Sequence, residues 1–212
     1  MIKIWKNLFL KIKKTIELSG YNDFTIAEYL RKQGAQIGEN NRIELRSLGT
    51  EPYLIKIGNH CTIAPDVLFL THDGATWVFT EEFPSLQKFA PITILDNCFI
   101  GIGSIIMGGV TVGPNSVIGA GSIVTKDILP NVVAAGNPAK AICSVEEYKK
   151  KALHIWKEQK PTEYFSGLKD GVKYPPEYIQ QIKHRDMHIL RENLIIKFWG
   201  KDYQRYRSDK RD

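Results

Sequence analysis

The chain has 212 residues, 43% of them hydrophobic and 25% charged, enough to bury one sizeable core and suited to a single principal domain with appendages. Its formal charge of +6 sits at the ends: residues 1–20 carry five Lys against one Glu, residues 149–212 sixteen basic against nine acidic, and residues 21–148 eight against thirteen. An acidic middle speaks against a nucleic-acid-binding core, three scattered cysteines without a CxxC pair against a disulfide framework or zinc knuckle, and the lack of any run near 20 apolar residues against a membrane span.

Residues 1–34 form the first predicted element, a helical region with Ile2, Trp5, Phe9, Ile12 and Ile16 on one face. Lys3, Lys6, Lys11, Lys13 and Lys14 interrupt the apolar runs and no small-residue cleavage site follows, so no signal peptide is expected. A lysine-rich helix with Trp and Phe suits peripheral contact with a membrane. The expectation favoured here is a cap over the open first turn of the domain that follows, because a repeating structure must close its ends.

Residues 35–143 repeat with a period of six. Aliphatic residues recur at Ile94, Ile100, Ile106, Val112, Ile118 and Val124, followed directly by glycine at Gly101, Gly113 and Gly119. Two places before each stands Ile92, Cys98, Ser104, Val110, Ser116 or Ser122. Ile57, Ile63 and Phe69 keep the register, with a fainter start at Ile37 and Ile43. A period of six fits a solenoid in which each hexad makes one flat side and one corner, three hexads a coil, and stacked coils parallel sheets. The large aliphatic residue points inward, the small one fills the space beside the corner, and glycine or asparagine takes the positive φ that corners demand. Cys61 and Cys98 fall on the small inward position and are expected to pack.

The register fails between Phe69 and Ile94, so a loop leaves the solenoid at about 70–93. It carries His72, the acids Asp73, Glu81 and Glu82, and the aromatics Trp77, Phe79, Phe83 and Phe89, a composition for the wall of a site. His60 is the competing histidine; within the regular stretch Ile57-Gly58-Asn59-His60 it is better explained as a solvated corner. Beyond Lys140 the hexads cease. Residues 144–212 read as a helical extension, opened by a capping box at Ser144-Val145-Glu146-Glu147 and continued by a helix from about Pro175-Pro176 to Gly200. His184 and His188 share a helix face near Asp186, but no third metal ligand is evident, so no metal is expected.

On these hexads the chain resembles the hexapeptide-repeat acyltransferases, which include galactoside, maltose, xenobiotic and polysaccharide O-acetyltransferases. The resemblance covers about half the chain and implies a mainly β fold: a left-handed parallel β-helix with a protruding loop, an N-terminal helical cap and a C-terminal helical extension. It implies acetyl-CoA as acyl donor, a homotrimer with sites between adjacent subunits, and a loop histidine, here His72, as catalytic base. An imidazole suits that task because it can take a proton from an alcohol as the thioester is attacked. Asp73, Glu81 or Glu82 could orient the ring, with Asp73 ranked first among the acids, and a backbone carbonyl can do the same. The resemblance places an oxyanion donor at the amide of Ile102, after Phe99-Ile100-Gly101, where relatives often have tryptophan in place of Phe99. The stretch from Ile118 to Asp127 is similar to the segment along which the pantetheine arm lies, touching Ala120 and Thr125. Ala135-Gly136-Asn137-Pro138-Ala139-Lys140 resembles the exit signature near the adenine, with Lys126 and Lys140 placed to meet phosphates. The expected activity is acetyl transfer to a hydroxyl of a sugar or polysaccharide precursor in the cytoplasm. An N-acetyltransferase of a nucleotide-linked amino sugar, a xenobiotic acetyltransferase and a non-catalytic scaffold stand as alternatives.

Overall fold

The protein is represented by a computed structural model that describes residues 2–161 and 167–200. Helices α1 (Ile2–Ser19) and α2 (Ile26–Lys32) precede β1 (Gln36–Ile37), β2 (Arg42–Ile43), β3 (Ile55–Ile57), β4 (Thr62–Ile63), β5 (Leu68–Leu70), β6 (Ile92–Ile94), β7 (Phe99–Ile100), β8 (Ile105–Met107), β9 (Thr111–Val112), β10 (Val117–Ile118) and β11 (Ile123–Val124). These strands fall into three parallel sheets, β1-β3-β6-β9, β2-β4-β7-β10 and β5-β8-β11. From β3 onward the chain visits the first, second and third sheet in rotation, one hexad to a side.

Register follows from the repeat. Thr93 stands beside Thr111, Phe99 beside Val117 and Ile105 beside Ile123, three hexads on in each case. Two departures lengthen the coils. Gln36 pairs with Lys56 and Arg42 with Thr62, two residues beyond three hexads; the segment between Ile43 and Ile55, which carries Glu51, takes up the excess. Leu68 pairs with Ile105 across the excursion that holds His72.

Inside, Ile43, Ile63, Ile100 and Ile118 stack in the second sheet, Ile57, Ile94 and Val112 in the first, and Phe69, Ile106 and Val124 in the third, all buried. Burying each such side chain contributes about 1.5–3 kcal/mol. The small positions behave as the repeat demands: Ser104 Oγ donates to Gly119 O at 3.1 Å and Ser116 Oγ to Leu129 O at 2.9 Å, while the Cys98 thiol donates to Gly113 O at 3.0 Å. The adjoining Cys98 and burial push the Cys61 thiol above its ordinary range, as suits a packing role. Corners take positive φ at Asn40, His60, Asp66, Asn97, Asn115 and Asn131. His60 belongs to this series, and its Nδ1 sits 2.8 Å from Asn97 Oδ1 in a ladder continued by Asn97 Nδ2 donating to Asn115 Oδ1 at 2.8 Å. A Cβ on Gly101 would lie 2.6 Å from Ala120 N, so only glycine lets these coils approach.

Within the helical region 1–34 expected to cap the first coil, the residues that join the core belong mainly to α2. Ile26, Ala27, Tyr29 and Leu30 of α2 join the core, and Arg31 donates to Ile37 O and Gly38 O at 2.8 and 2.6 Å. The expected face of α1 is turned outward: Trp5, Phe9, Ile12 and Ile16 are all exposed. At the other end β12 (Val132–Gly136) adds to β10 in parallel, and β13 (Ala139–Ser144) folds back antiparallel on β12, covering the last edge of the second sheet.

The chain divides into compact units Met1–Tyr148 and Lys149–Asp212. Helix α3 (Val145–Gln159) opens on the anticipated capping box, with Ser144 N donating to Glu147 Oε2 at 2.8 Å and Glu147 N to Ser144 Oγ at 3.1 Å. The single helix expected after Pro175 is instead two, α4 (Pro176–Arg185) and α5 (Met187–Trp199). They break at Asp186, a buried carboxylate that accepts from Arg185 Nε at 2.7 Å. No helix among the described residues is long and apolar enough to cross a membrane.

Candidate active site

β5 ends at Leu70, and the chain leaves the third sheet through Thr71 and His72. The two arms of the excursion zip together at its neck: Ala90 N donates to Thr71 O at 2.8 Å, Asp73 N to Lys88 O at 2.9 Å, and His72 bridges Phe89 across an antiparallel pair. Asp73 then caps a 3₁₀ turn over Gly74–Phe79 by accepting from Ala75 N at 3.0 Å. Lys88 Nζ closes the neck on Asp73 Oδ2, also at 3.0 Å, and these contacts hold the Asp73 carboxyl below its ordinary range. Asp73 is thus spent on the loop's own architecture and is not the acid on the histidine ring.

That acid is Glu51, from the lengthened side of the preceding coil. One of its oxygens, Oε2, accepts both the Thr71 hydroxyl at 2.7 Å and His72 Nδ1 at 3.0 Å. Thr71, His72 and Thr50 as donors hold the Glu51 carboxyl down to about 2. An ionised carboxylate only accepts, so the proton of a neutral His72 is on Nδ1 and Nε2 carries the lone pair. The Glu51 side chain is 13% exposed and that of His72 50%, so the carboxylate is sheltered and the imidazole reachable. Phe89 supports the ring from one side, centroids 6.1 Å apart.

Two cavities meet at this neck, sharing His72, Asp73, Gly74 and Lys88. One, of about 350 Å³, lies within the loop against Trp77, Leu86 and Phe89; the other, of about 340 Å³, lies against Leu70, Met107 and Gly108 at the ends of β5 and β8. His72 therefore stands between an aromatic chamber and a second cavity at the ends of β5 and β8.

The remaining candidates fall into two groups, one at each edge of the third sheet. Thr125 and Lys126 follow β11 as His72 follows β5, on the edge towards the first sheet. Gly101, Ile102 and Ala120 occupy the opposite edge, between the second and third sheets, where Gly121 N donates to Ile102 O at 2.8 Å. Phe99 projects outward from β7 beside them. Asn137, Pro138 and Lys140 extend that second edge through the β12–β13 turn, and Lys126 and Lys140 are both exposed. Within one chain the width of the third sheet separates His72 from Ile102. The outer face of that sheet is apolar, with Leu68 and Leu70 exposed and Ile105, Met107 and Ile123 half-buried. Among the described residues no cluster of His, Cys, Asp or Glu suits a metal.

Sequence reasoning looked for the orienting acid inside the loop and missed Glu51. Its signal was the two-residue excess between Ile43 and Ile55, which marks a corner with a task of its own.

Residues 91–126 match the family model described as bacterial transferase hexapeptide (six repeats). Protein CapG of Staphylococcus aureus is 48% identical over 151 residues, covering 70% of this chain and 83% of CapG. Galactoside O-acetyltransferase of Escherichia coli is 41% identical over 111 residues, 52% of this chain and 54% of that protein, so the chain spans about half the length of this relative. Among solved structures, a hexapeptide-repeat acetyltransferase of Vibrio cholerae complexed with acetyl coenzyme A aligns with a TM-score of 0.42 at 29% identity, covering 53% of this chain and 61% of the other.

Proposed function

The chain belongs to the hexapeptide-repeat transferase family, and from that premise we propose that it moves an acetyl group from acetyl-CoA to a hydroxyl of a sugar or polysaccharide precursor in the cytoplasm. The reading is supported above all by the Glu51–His72 pair, which leaves Nε2 as a lone-pair base between two cavities. The acceptor occupies the aromatic chamber, where Trp77 and Phe89 suit the apolar faces of a sugar ring. His72 Nε2 takes the hydroxyl proton as the oxygen attacks the thioester carbon, and Glu51 supports the resulting imidazolium. Negative charge gathers on the carbonyl oxygen beside the Ile102 amide. Collapse expels the thiolate of CoA, which recovers the proton from His72.

In this reading the domain is a left-handed β-helix and the working unit a homotrimer. His72 and the Ile102 amide lie on opposite edges of the third sheet, so a threefold assembly that lays the His72 edge of one copy against the Ile102 edge of the next completes the site. The apolar outer face of the third sheet is what such an interface would cover. Acetyl-CoA runs along the shared cleft, its pantetheine at Ala120 and Thr125 and its phosphates near Lys126 and Lys140. A panel of sugars and sugar nucleotides, offered with acetyl-CoA and followed by release of free thiol, tests the proposal. Turnover with a hydroxyl acceptor is the expected result; turnover only with amino sugars would replace O-transfer by N-transfer, and none at all would remove the activity.

A further inference from the structure

The side of α1 that meets its own domain is not its apolar side. Leu18 packs against the core, and Lys14 lines a cavity of about 240 Å³ with Tyr29 and Leu30 of α2. At about 100° of rotation per residue, these two positions lie roughly opposite the row Trp5, Phe9, Ile12 and Ile16, whose members are 49–68% exposed. The end of the solenoid is already closed by α2, and among the described residues the row is not packed against the core of its own unit.

We propose that this row is a membrane-docking face, on which α1 lies along the surface of an anionic phospholipid bilayer. Its chemistry fits that occupant on three counts. The 18-residue helix carries five lysines and the single acid Glu17; Lys14 is turned to its own domain, and the other four leave a net positive helix that favours anionic headgroups. The row combines Trp and Phe with Ile, side chains suited to the boundary between headgroups and acyl chains. The helix is also too short of apolar residues to cross a bilayer, so lying in the interface is the geometry left to it. A second copy of the same helix is the poorer occupant, because row-to-row packing would bring the lysines at positions 6 and 13, which border the row, near their like.

Flotation of the full chain with vesicles of phosphatidylcholine, alone and mixed with phosphatidylglycerol, tests the proposal. The native protein should partition at least about tenfold more strongly to the mixed vesicles, with binding falling as salt rises. Phe9→Glu/Ile12→Glu should lose at least about tenfold of that partitioning while keeping native circular dichroism, native mass and full turnover on a soluble acceptor. Lys3→Gln/Lys6→Gln/Lys13→Gln should lose the preference for phosphatidylglycerol without touching the apolar row. Failure of the native chain to float with mixed vesicles overturns the proposal, even if α1 captures an acidic protein. Equal flotation of the native and Phe9→Glu/Ile12→Glu proteins also overturns it, since the basic C-terminal residues would then hold the vesicle. A drop in mass for that variant would make the row an interface between copies and overturn it too.

Discussion

Glu51 Oε2 accepts from His72 Nδ1 at 3.0 Å across 21 residues of sequence, and from the Thr71 hydroxyl at 2.7 Å. The stacking of one coil on the next makes this contact, which fixes both the tautomer and the direction of the imidazole. Replacing the carboxylate by an amide keeps the shape and removes the charge. Glu51→Gln should therefore lower kcat by about ten- to a hundredfold, the worth of a hydrogen bond to a charged group, while titration shows acetyl-CoA affinity unchanged.

The same pair makes a prediction about acid stability. Glu51 ionises at about 2 in the folded chain against an ordinary 4.5. A carboxylate depressed on folding adds stability that is fully present above the unfolded value and is lost as pH falls through the folded one. The melting temperature of the native protein should exceed that of Glu51→Gln above pH 4.5, and the gap should close as pH falls towards about 2. Thermal melts at stepped pH measure it, and a gap independent of pH contradicts the assignment.

The sequence disclosed the parts of this fold that repeat. Ile57, Ile63, Ile94, Ile100 and Val112 stand inward because period six leaves them no other place, and the break at Phe69 marked the excursion with His72 in it. What it concealed depends on contacts between coils or on competition between similar segments. Glu51 is invisible to a search confined to the loop, since it meets His72 only after stacking. Residues 1–34 read as one helical cap, yet only Ile26, Tyr29 and Leu30 of α2, next to the first strand, join the core, while Trp5, Phe9, Ile12 and Ile16 stay exposed. The break at Asp186 was hidden because a single buried carboxylate, held by the exposed guanidinium of Arg185, leaves no mark on helical periodicity.

Gly101→Ala would set a Cβ 2.6 Å from Ala120 N and 2.8 Å from Ile118 O, both backbone atoms that cannot turn aside. Overpacking of this kind costs about 1–3 kcal/mol. A lowered midpoint in denaturant titration, together with weaker acetyl-CoA binding, is the expected result.

In the proposed reading Lys126 and Lys140 meet the phosphates of acetyl-CoA. Each replaced by Gln should weaken acetyl-CoA binding about tenfold and leave the KM of the acceptor nearly unchanged. Unchanged affinity in both single variants and in the double variant would displace the cofactor from this cleft.

If the site is shared between copies, two inactive variants damaged on opposite edges should complement each other. His72→Ala and Ile102→Pro, the latter removing the amide donor, are each expected to be inactive as pure proteins. Coexpressed at equal levels and purified together, they should recover about a quarter of native activity, the share of clefts that receive both sound edges on random assembly. Absence of recovery in confirmed mixed assemblies would place the site within one chain.

The most direct test of the central claim is the turnover of His72→Ala with the true acceptor, measured beside His60→Ala. His60 is a corner residue with positive φ held to Asn97, so its variant should turn over at close to the native rate. His72→Ala should fall by about a hundredfold to ten-thousandfold while binding acetyl-CoA as the native protein does. Retained turnover in a folded His72→Ala protein, with or without a loss in His60→Ala, would contradict the assignment of His72 as the base.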